Sequence, residues 1–197
     1  MIINDKEQLY YEKYRPQRIQ DMILPDEIKT KLQHQVDTKN LSNMLFCSFT
    51  PGTGKTSCVN AIAKESGLET LFLNASLNNG IDSVRTTIQN FASYKSFDDN
   101  HKIVIMDECD GYSDSAQQAL RGFIEEFSGN CRFILTCNYI NKIIPAIINR
   151  FEVYDFDEFY GQQNRESLIK QIFTRLCFIL DTEKVSYDKK DLIPIIN

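Results

Sequence analysis

The sequence predicts a three-layer α/β fold with a five-stranded, mostly parallel sheet, followed by the start of a helical lid subdomain. Three observations point there. Short apolar runs alternate with segments of helical spacing, the pattern of repeated βα units. Ile103-Val104-Ile105-Met106 is apolar without interruption, as a strand covered on both faces must be. A glycine-rich stretch, Pro51-Gly52-Thr53-Gly54-Lys55-Thr56-Ser57, stands between the first such run and a helix.

Taken in order, residues 1–20 are polar and charged, and Pro16 disfavours helix at Arg15, so this part is expected to be an extended arm. Ile23-Leu24-Pro25 is a short apolar anchor. Asp26-Glu27 opens a helix with apolar positions Ile28, Leu32 and Val36. After a loop at 40–43, Met44-Leu45-Phe46-Cys47 is the first strand, and the helix behind the glycine-rich stretch ends at Gly67. Thr70 to Asn74 forms the second strand. Asn78-Asn79-Gly80 is a turn, and Asp82 or Ser83 stands near the N-cap of a helix carrying Ile81, Val84, Ile88 and Phe91. A polar loop with a surface His101 precedes the third strand, which ends at Asp107-Glu108-Cys109-Asp110. Ser113-Asp114-Ser115-Ala116 caps a helix through Leu120, Phe123, Ile124 and Phe127. Gly129-Asn130 turns the chain into a fourth strand, Arg132 to Asn138. Pro145 starts or bends a short helix ending near Arg150, and Val153-Tyr154-Asp155-Phe156 is the fifth strand. From Tyr160 the character changes to an amphipathic helix at 165–180, a linker, and the beginning of another helix at 189–196. The boundary falls near Phe159, giving a larger α/β domain at 1–159 and a partial helical subdomain at 160–197.

With 197 residues, 42% hydrophobic and 25% charged, the chain is long enough to bury a substantial core. A net charge of -5 argues against a generally basic, nucleic-acid-coating protein and confines any DNA surface to a local strip. The six cysteines include no C-x-x-C pair, so they are expected to fill a reduced core rather than hold zinc or form disulfides. There is no basic-then-apolar leader and no apolar run near the roughly 18 residues of a membrane span. The expected place of work is the cytoplasm of whatever cell, or infected host cell, makes it.

The glycine-rich stretch carries the chemistry. Gly52 and Gly54 let successive N–H groups turn inward, and the dipole of the following helix adds positive potential, so phosphate is the expected ligand. Lys55 would reach the β- and γ-phosphates of ATP, and the Thr56 hydroxyl would ligate Mg²⁺. The pattern wants a glycine where Phe49 stands, but the groups that touch phosphate are all present. Asp107 and Glu108 end a strand that converges on the same site in an open parallel sheet. Asp107 would hold the metal, usually through a water, and Glu108 would polarise the attacking water. Asn138, at the end of the next strand, is either a γ-phosphate sensor or a turn residue. Arg150 is either a surface ion pair or an arginine finger for a neighbouring subunit. The sequence alone does not choose.

These residues together resemble the AAA+ ATPases, and more narrowly the sliding-clamp loader subunits of replication. The nearest likeness is to the large ATPase subunit of T4-like phage clamp loaders, over about residues 12–156. Lys13-Tyr14-Arg15-Pro16 is similar to the arm that flanks the adenine, which implies nucleotide contacts for Tyr14, Arg15 and Pro16. Asp107-Glu108-Cys109-Asp110 looks like the Walker B box, and Gln118-Ala119-Leu120-Arg121 with Glu125 like the helix that couples to DNA. Asn138 falls on the first sensor, and Asn149-Arg150-Phe151 on the arginine-finger motif with both flanking residues changed. The resemblance implies a spiral of subunits that opens a sliding clamp and loads it on primer–template DNA. Candidate DNA-backbone contacts lie around 82–85 and 113–117, with Arg85 and Arg121; solvated helix faces are the other reading. The resemblance also implies a lid and collar beyond Asn197. The alternative function is an AAA+ assembly module of initiator or helicase-loader type, in which ATP binding rather than turnover matters.

Overall fold

A computed structural model describes residues 9–75, 81–96 and 100–196, with the backbone alone for 81–83. The strands are β1 (Met44–Cys47), β2 (Thr70–Asn74), β3 (Lys102–Asp107), β4 (Cys131–Cys137) and β5 (Glu152–Asp155). They form one sheet in the order β2-β3-β4-β1-β5, and every pairing is parallel. β4 is therefore inserted between β1 and β3, so the residues that follow it lie between the glycine-rich loop and Asp107.

Alternation along the central strands builds the two cores. Leu45, Cys47, Val104, Met106, Phe133 and Leu135 face one layer. Met44, Phe46, Ile103, Ile105 and Ile134 face the other. A strand buried on both faces has no polar side to show, which is why these runs are uniformly apolar. On the first face lie α4 (Ile81–Ala92), α5 (Asp114–Glu126) and α6 (Pro145–Ile148), through Val84, Ile88, Leu120, Phe123, Ile124 and Ile147. On the second lie α2 (Asp26–Asp37) and α3 (Lys55–Ser66), through Leu32, Val36, Cys58, Val59 and Ile62. Phe46 anchors this layer, stacked on Tyr154 at 5.0 Å and edge-on to Phe156 at 6.0 Å. Truncating such a buried ring to alanine costs about 3–5 kcal/mol. Cys47, Cys58, Cys109, Cys131 and Cys137 are all buried, and burial pushes the Cys58 thiol up to about 12.

Local signals act as the sequence predicts at several ends. The Ser113 side chain accepts the Ala116 N–H at the start of α5. Pro145 occupies the first position of α6. Gly67 terminates α3 in the left-handed region at φ 61°. Two segments differ. The arm is not wholly extended: α1 (Tyr10–Lys13) makes one helical turn, closed by Lys13 N–H to the Leu9 carbonyl at 3.0 Å. Only beyond Tyr14 does Pro16 keep the backbone out of helix. The fifth strand also stops at Asp155, and Phe156 begins a helical turn, α7 (Phe156–Phe159), because the Asp155 carboxylate caps the Asp157 N–H at 2.8 Å. The turn expected at Asn78-Asn79-Gly80 and the cap at Asp82 or Ser83 lie outside what is described.

The chain ends in α8 (Arg165–Thr182) and α9 (Lys189–Ile196). Of α8 only Leu168 is fully buried, and of α9 only Leu192. Polar bonds hold α8 to the arm and to the anchor behind it: Gln171 donates to the Leu24 carbonyl at 2.9 Å, Arg175 to the Tyr14 carbonyl at 2.9 Å, and Glu183 accepts from Lys13 at 2.7 Å. Among the described residues no helix is long and apolar enough to cross a membrane.

Candidate nucleotide site

A cleft of about 480 Å³ opens where β1, β3 and β4 end. It is lined by Tyr14, Arg15 and Pro16 of the arm, by Pro51 to Ser57 of the loop, and by Asp107, Glu108, Thr136 and Asn138. Every residue expected to meet nucleotide, metal or lytic water lies on this one surface, except Arg150.

The loop bends as its glycines require. Gly52 has φ 77° and Gly54 φ 99°, where a Cβ is strained. Gly54 immediately precedes α3, so the N–H groups of the first turn are left without intrahelical partners. Lys55, the first residue of α3, is 8% exposed. Among the described residues its ammonium meets only carbonyl oxygens, of Ser48 at 3.3 Å and Thr50 at 3.4 Å. A buried ammonium so held suits an anion at the loop.

Opposite stands Asp107, 7% exposed at the end of β3. Its carboxylate accepts the Thr56 hydroxyl at 3.1 Å and also the Thr136 hydroxyl. Thr56 and Asp107 thus meet across the sheet end, presenting oxygen donors alone, the set that suits Mg²⁺. No group of three or more His, Cys, Asp or Glu among the described residues could hold a metal by itself.

Glu108 is exposed and sits at φ 59° in the left-handed region, a strained conformation for a residue with a Cβ, costing about 1–2 kcal/mol. The Glu108 N–H donates to the Thr136 hydroxyl oxygen at 3.0 Å. Asn138 donates its backbone N–H to Asp110 at 3.2 Å. Thr136 carries no expectation from the sequence analysis, yet its hydroxyl ties the two acidic positions together. The signal was present: it is the one polar residue between Phe133 and Cys137, and its parity matches Asn138.

Asp157 was also overlooked. It accepts the Phe49 N–H at 2.7 Å and the Ser48 hydroxyl at 2.8 Å. Burial pushes its carboxyl up, but the bonds from Phe49, Ser48 and Thr50 outweigh this and hold it below the usual carboxylate range. Phe49, where the pattern wants glycine, is exposed and lies edge-on to Tyr139 at 6.1 Å. Tyr11 joins the arm residues in lining the cleft.

Arg150 lies elsewhere. At the end of α6 its guanidinium bonds the Ala146 carbonyl and the Glu125 carboxylate. Glu125 also accepts from Arg121 at 3.2 Å, and the two guanidinium groups, Arg121 foremost, lower its pKa. Arg85 stacks over the Phe123 ring at 5.9 Å.

Residues 44–159 match the model of the ATPase family associated with various cellular activities, AAA. The chain is 44% identical to the replication factor C small subunit of Methanosarcina mazei over 170 residues, which is 83% of this chain and 50% of that protein. It is 38% identical to human replication factor C subunit 5 over 194 residues, 95% of this chain and 54% of that one. The chain thus spans about half the length of the curated relatives it matches. These relatives are archaeal and human, and they lend no support to the narrower likeness to phage clamp loaders. Among solved structures, the Thermotoga maritima RuvB Holliday junction branch migration motor superposes with a TM-score of 0.66 over 89% of this chain and 57% of that one. At 17% identity that likeness speaks for the fold alone. With its family-model match covering β1 to α7 and a cleft built on a glycine-turned loop facing Asp107, the chain belongs to the AAA family of ATPases.

Proposed function

We propose that this chain is an ATP-binding and ATP-hydrolysing subunit of a DNA sliding-clamp loader. The observation that carries the chemistry is the Thr56–Asp107 hydrogen bond beside buried Lys55, at the mouth of a loop turned by two glycines. The identity with replication factor C small subunits supports the assembly.

In this reading the N–H groups from Gly52 to Thr56 and the start of α3 receive the phosphate oxygens of ATP. Lys55 exchanges its loop carbonyls for the β- and γ-phosphates. Thr56 and Asp107 hold Mg²⁺, which supplies charge neutralisation on the phosphates. Glu108 orients and polarises the attacking water, and the Asn138 amide contacts the γ-phosphate. Tyr14, Arg15 and Pro16 flank the base. Arg150 leaves Glu125 to serve a neighbouring subunit's site. We assign residues 1–159 to the ATPase domain and 160–197 to the lid. The proposed partners are neighbouring subunits in a spiral, a sliding clamp, and primer–template DNA gripped by its backbone without base readout. The proposed setting is the cytoplasm, in keeping with the buried thiols.

The test is the rate of ATP hydrolysis with and without a sliding clamp and primed DNA. Stimulation by the two together is expected. Intact ATP binding with no stimulation would favour a nucleotide-dependent assembly module instead.

A further inference from the structure

The ladder between β1 and β5 ends with Cys47 opposite Asp155. Two residues past that end, the Phe49 N–H lies beyond the ladder with β5. Asp157, on the first turn of α7, meets it: one carboxylate oxygen takes the Phe49 N–H at 2.7 Å and the other the Ser48 hydroxyl at 2.8 Å. Ser48 is 2% exposed; its oxygen accepts the Thr50 N–H at 3.1 Å, and its carbonyl takes the Lys55 ammonium at 3.3 Å. The entry to the phosphate loop and the seat of its lysine are thus fixed through a single carboxylate. That carboxylate is itself anchored, since its neighbour Phe156 is fully buried against Phe46.

The same corner holds the far side of the loop. The Tyr160 hydroxyl, one residue beyond α7, lies 3.0 Å from the Thr53 carbonyl and 3.3 Å from that of Ile23. Thr53 directly precedes Gly54. The chain from Asp157 to Tyr160 therefore spans the loop like a strap and runs on into α8.

We infer that Asp157 and Tyr160 are positioning residues for the phosphate loop, setting its affinity for triphosphate through Ser48, Phe49 and Thr53. The contact is to the backbone N–H of Phe49, a donor that any residue but proline would carry there. The inference rests on the phosphate-loop assignment above. Hydrogen bonding, not charge, is the active property: an asparagine at 157 can still accept from Phe49 and donate to Ser48.

The experiment is equilibrium binding of Mg·ATP, with the melting temperature of each protein measured without nucleotide. The set is wild type, Lys55→Ala, Asp157→Ala, Asp157→Asn and Tyr160→Phe. Asp157→Ala is expected to bind ATP about tenfold more weakly, Asp157→Asn within about threefold of wild type, and Tyr160→Phe about threefold more weakly. Nucleotide-free melting should stay within about 4 °C throughout. If Asp157→Ala fails to fold, the isosteric Asp157→Asn and Tyr160→Phe pair decides: wild-type affinity in Tyr160→Phe, or loss in Asp157→Asn as great as in Lys55→Ala, would overturn the inference. So would wild-type affinity in Asp157→Ala while Lys55→Ala has lost binding, an outcome that leaves the phosphate loop standing. Absence of ATP binding in wild type would bring down both.

Discussion

Two charged clusters in this molecule are built in opposite ways. At the sheet end, Lys55 and Asp107 are buried, and each is met by fixed partners: carbonyls of the loop, and the hydroxyls of Thr56 and Thr136. Between α5 and the end of α6, Arg121, Glu125 and Arg150 form a half-exposed chain of ion pairs. Buried charge left without partners is expensive, so the first cluster must be satisfied in a single geometry. Exposed pairs gain little net energy and are screened by salt, so the second can change partners cheaply. The contrast matches the proposed roles, a preorganised binding site in the first and a surface that exchanges with a neighbour in the second.

The sharpest way to break this contrast is Lys55→Ala. ATP affinity should fall on the order of 100-fold, because the charge-assisted phosphate contact has no substitute nearby. Isothermal titration showing wild-type affinity would remove Lys55 from the site. Next comes Thr136→Val, of the same shape without the hydroxyl. It leaves the Glu108 N–H and one Asp107 contact unmade, and urea unfolding should show a loss of about 1–3 kcal/mol. A change no larger than that of a surface substitution would mean that Thr136 is not the tie between the acidic pair. Arg150→Ala should have the smallest effect on the isolated chain: melting within about 2 °C of wild type and unchanged ATP binding. In the proposed assembly the same substitution should stop hydrolysis at the neighbouring subunit's site. Equal loss in a lone chain would point to a role within its own cleft and blur the two clusters into one.

The sequence predicts much of this architecture because parallel-sheet strands announce themselves locally. Ile103 to Met106 and Met44 to Cys47 could be placed almost to the residue, since strands covered on both faces are apolar throughout. The glycine-rich loop was equally plain, for its φ values admit little but glycine at 52 and 54. What escaped depends on pairing across the sheet. Thr136 acquires its role only because β4 is inserted between β1 and β3. Asp157 acquires its role only because β1 and β5 end in register. Neither fact is encoded by the residues flanking those positions. The helical turns at Tyr10–Lys13 and Phe156–Phe159 were missed for a different reason. One turn leaves no periodicity to read, and its existence rests on a few capping and backbone bonds.

The account stands most directly on Glu108, whose strained backbone holds a carboxylate in the cleft beside Asp107, the proposed metal ligand. The measurement is ATP binding and turnover in Glu108→Gln beside wild type, in the presence of Mg²⁺, a sliding clamp and primed DNA. The account predicts affinity within about threefold of wild type and turnover lowered at least 100-fold, as expected when water activation alone is removed. Turnover equal to wild type with intact binding would contradict it.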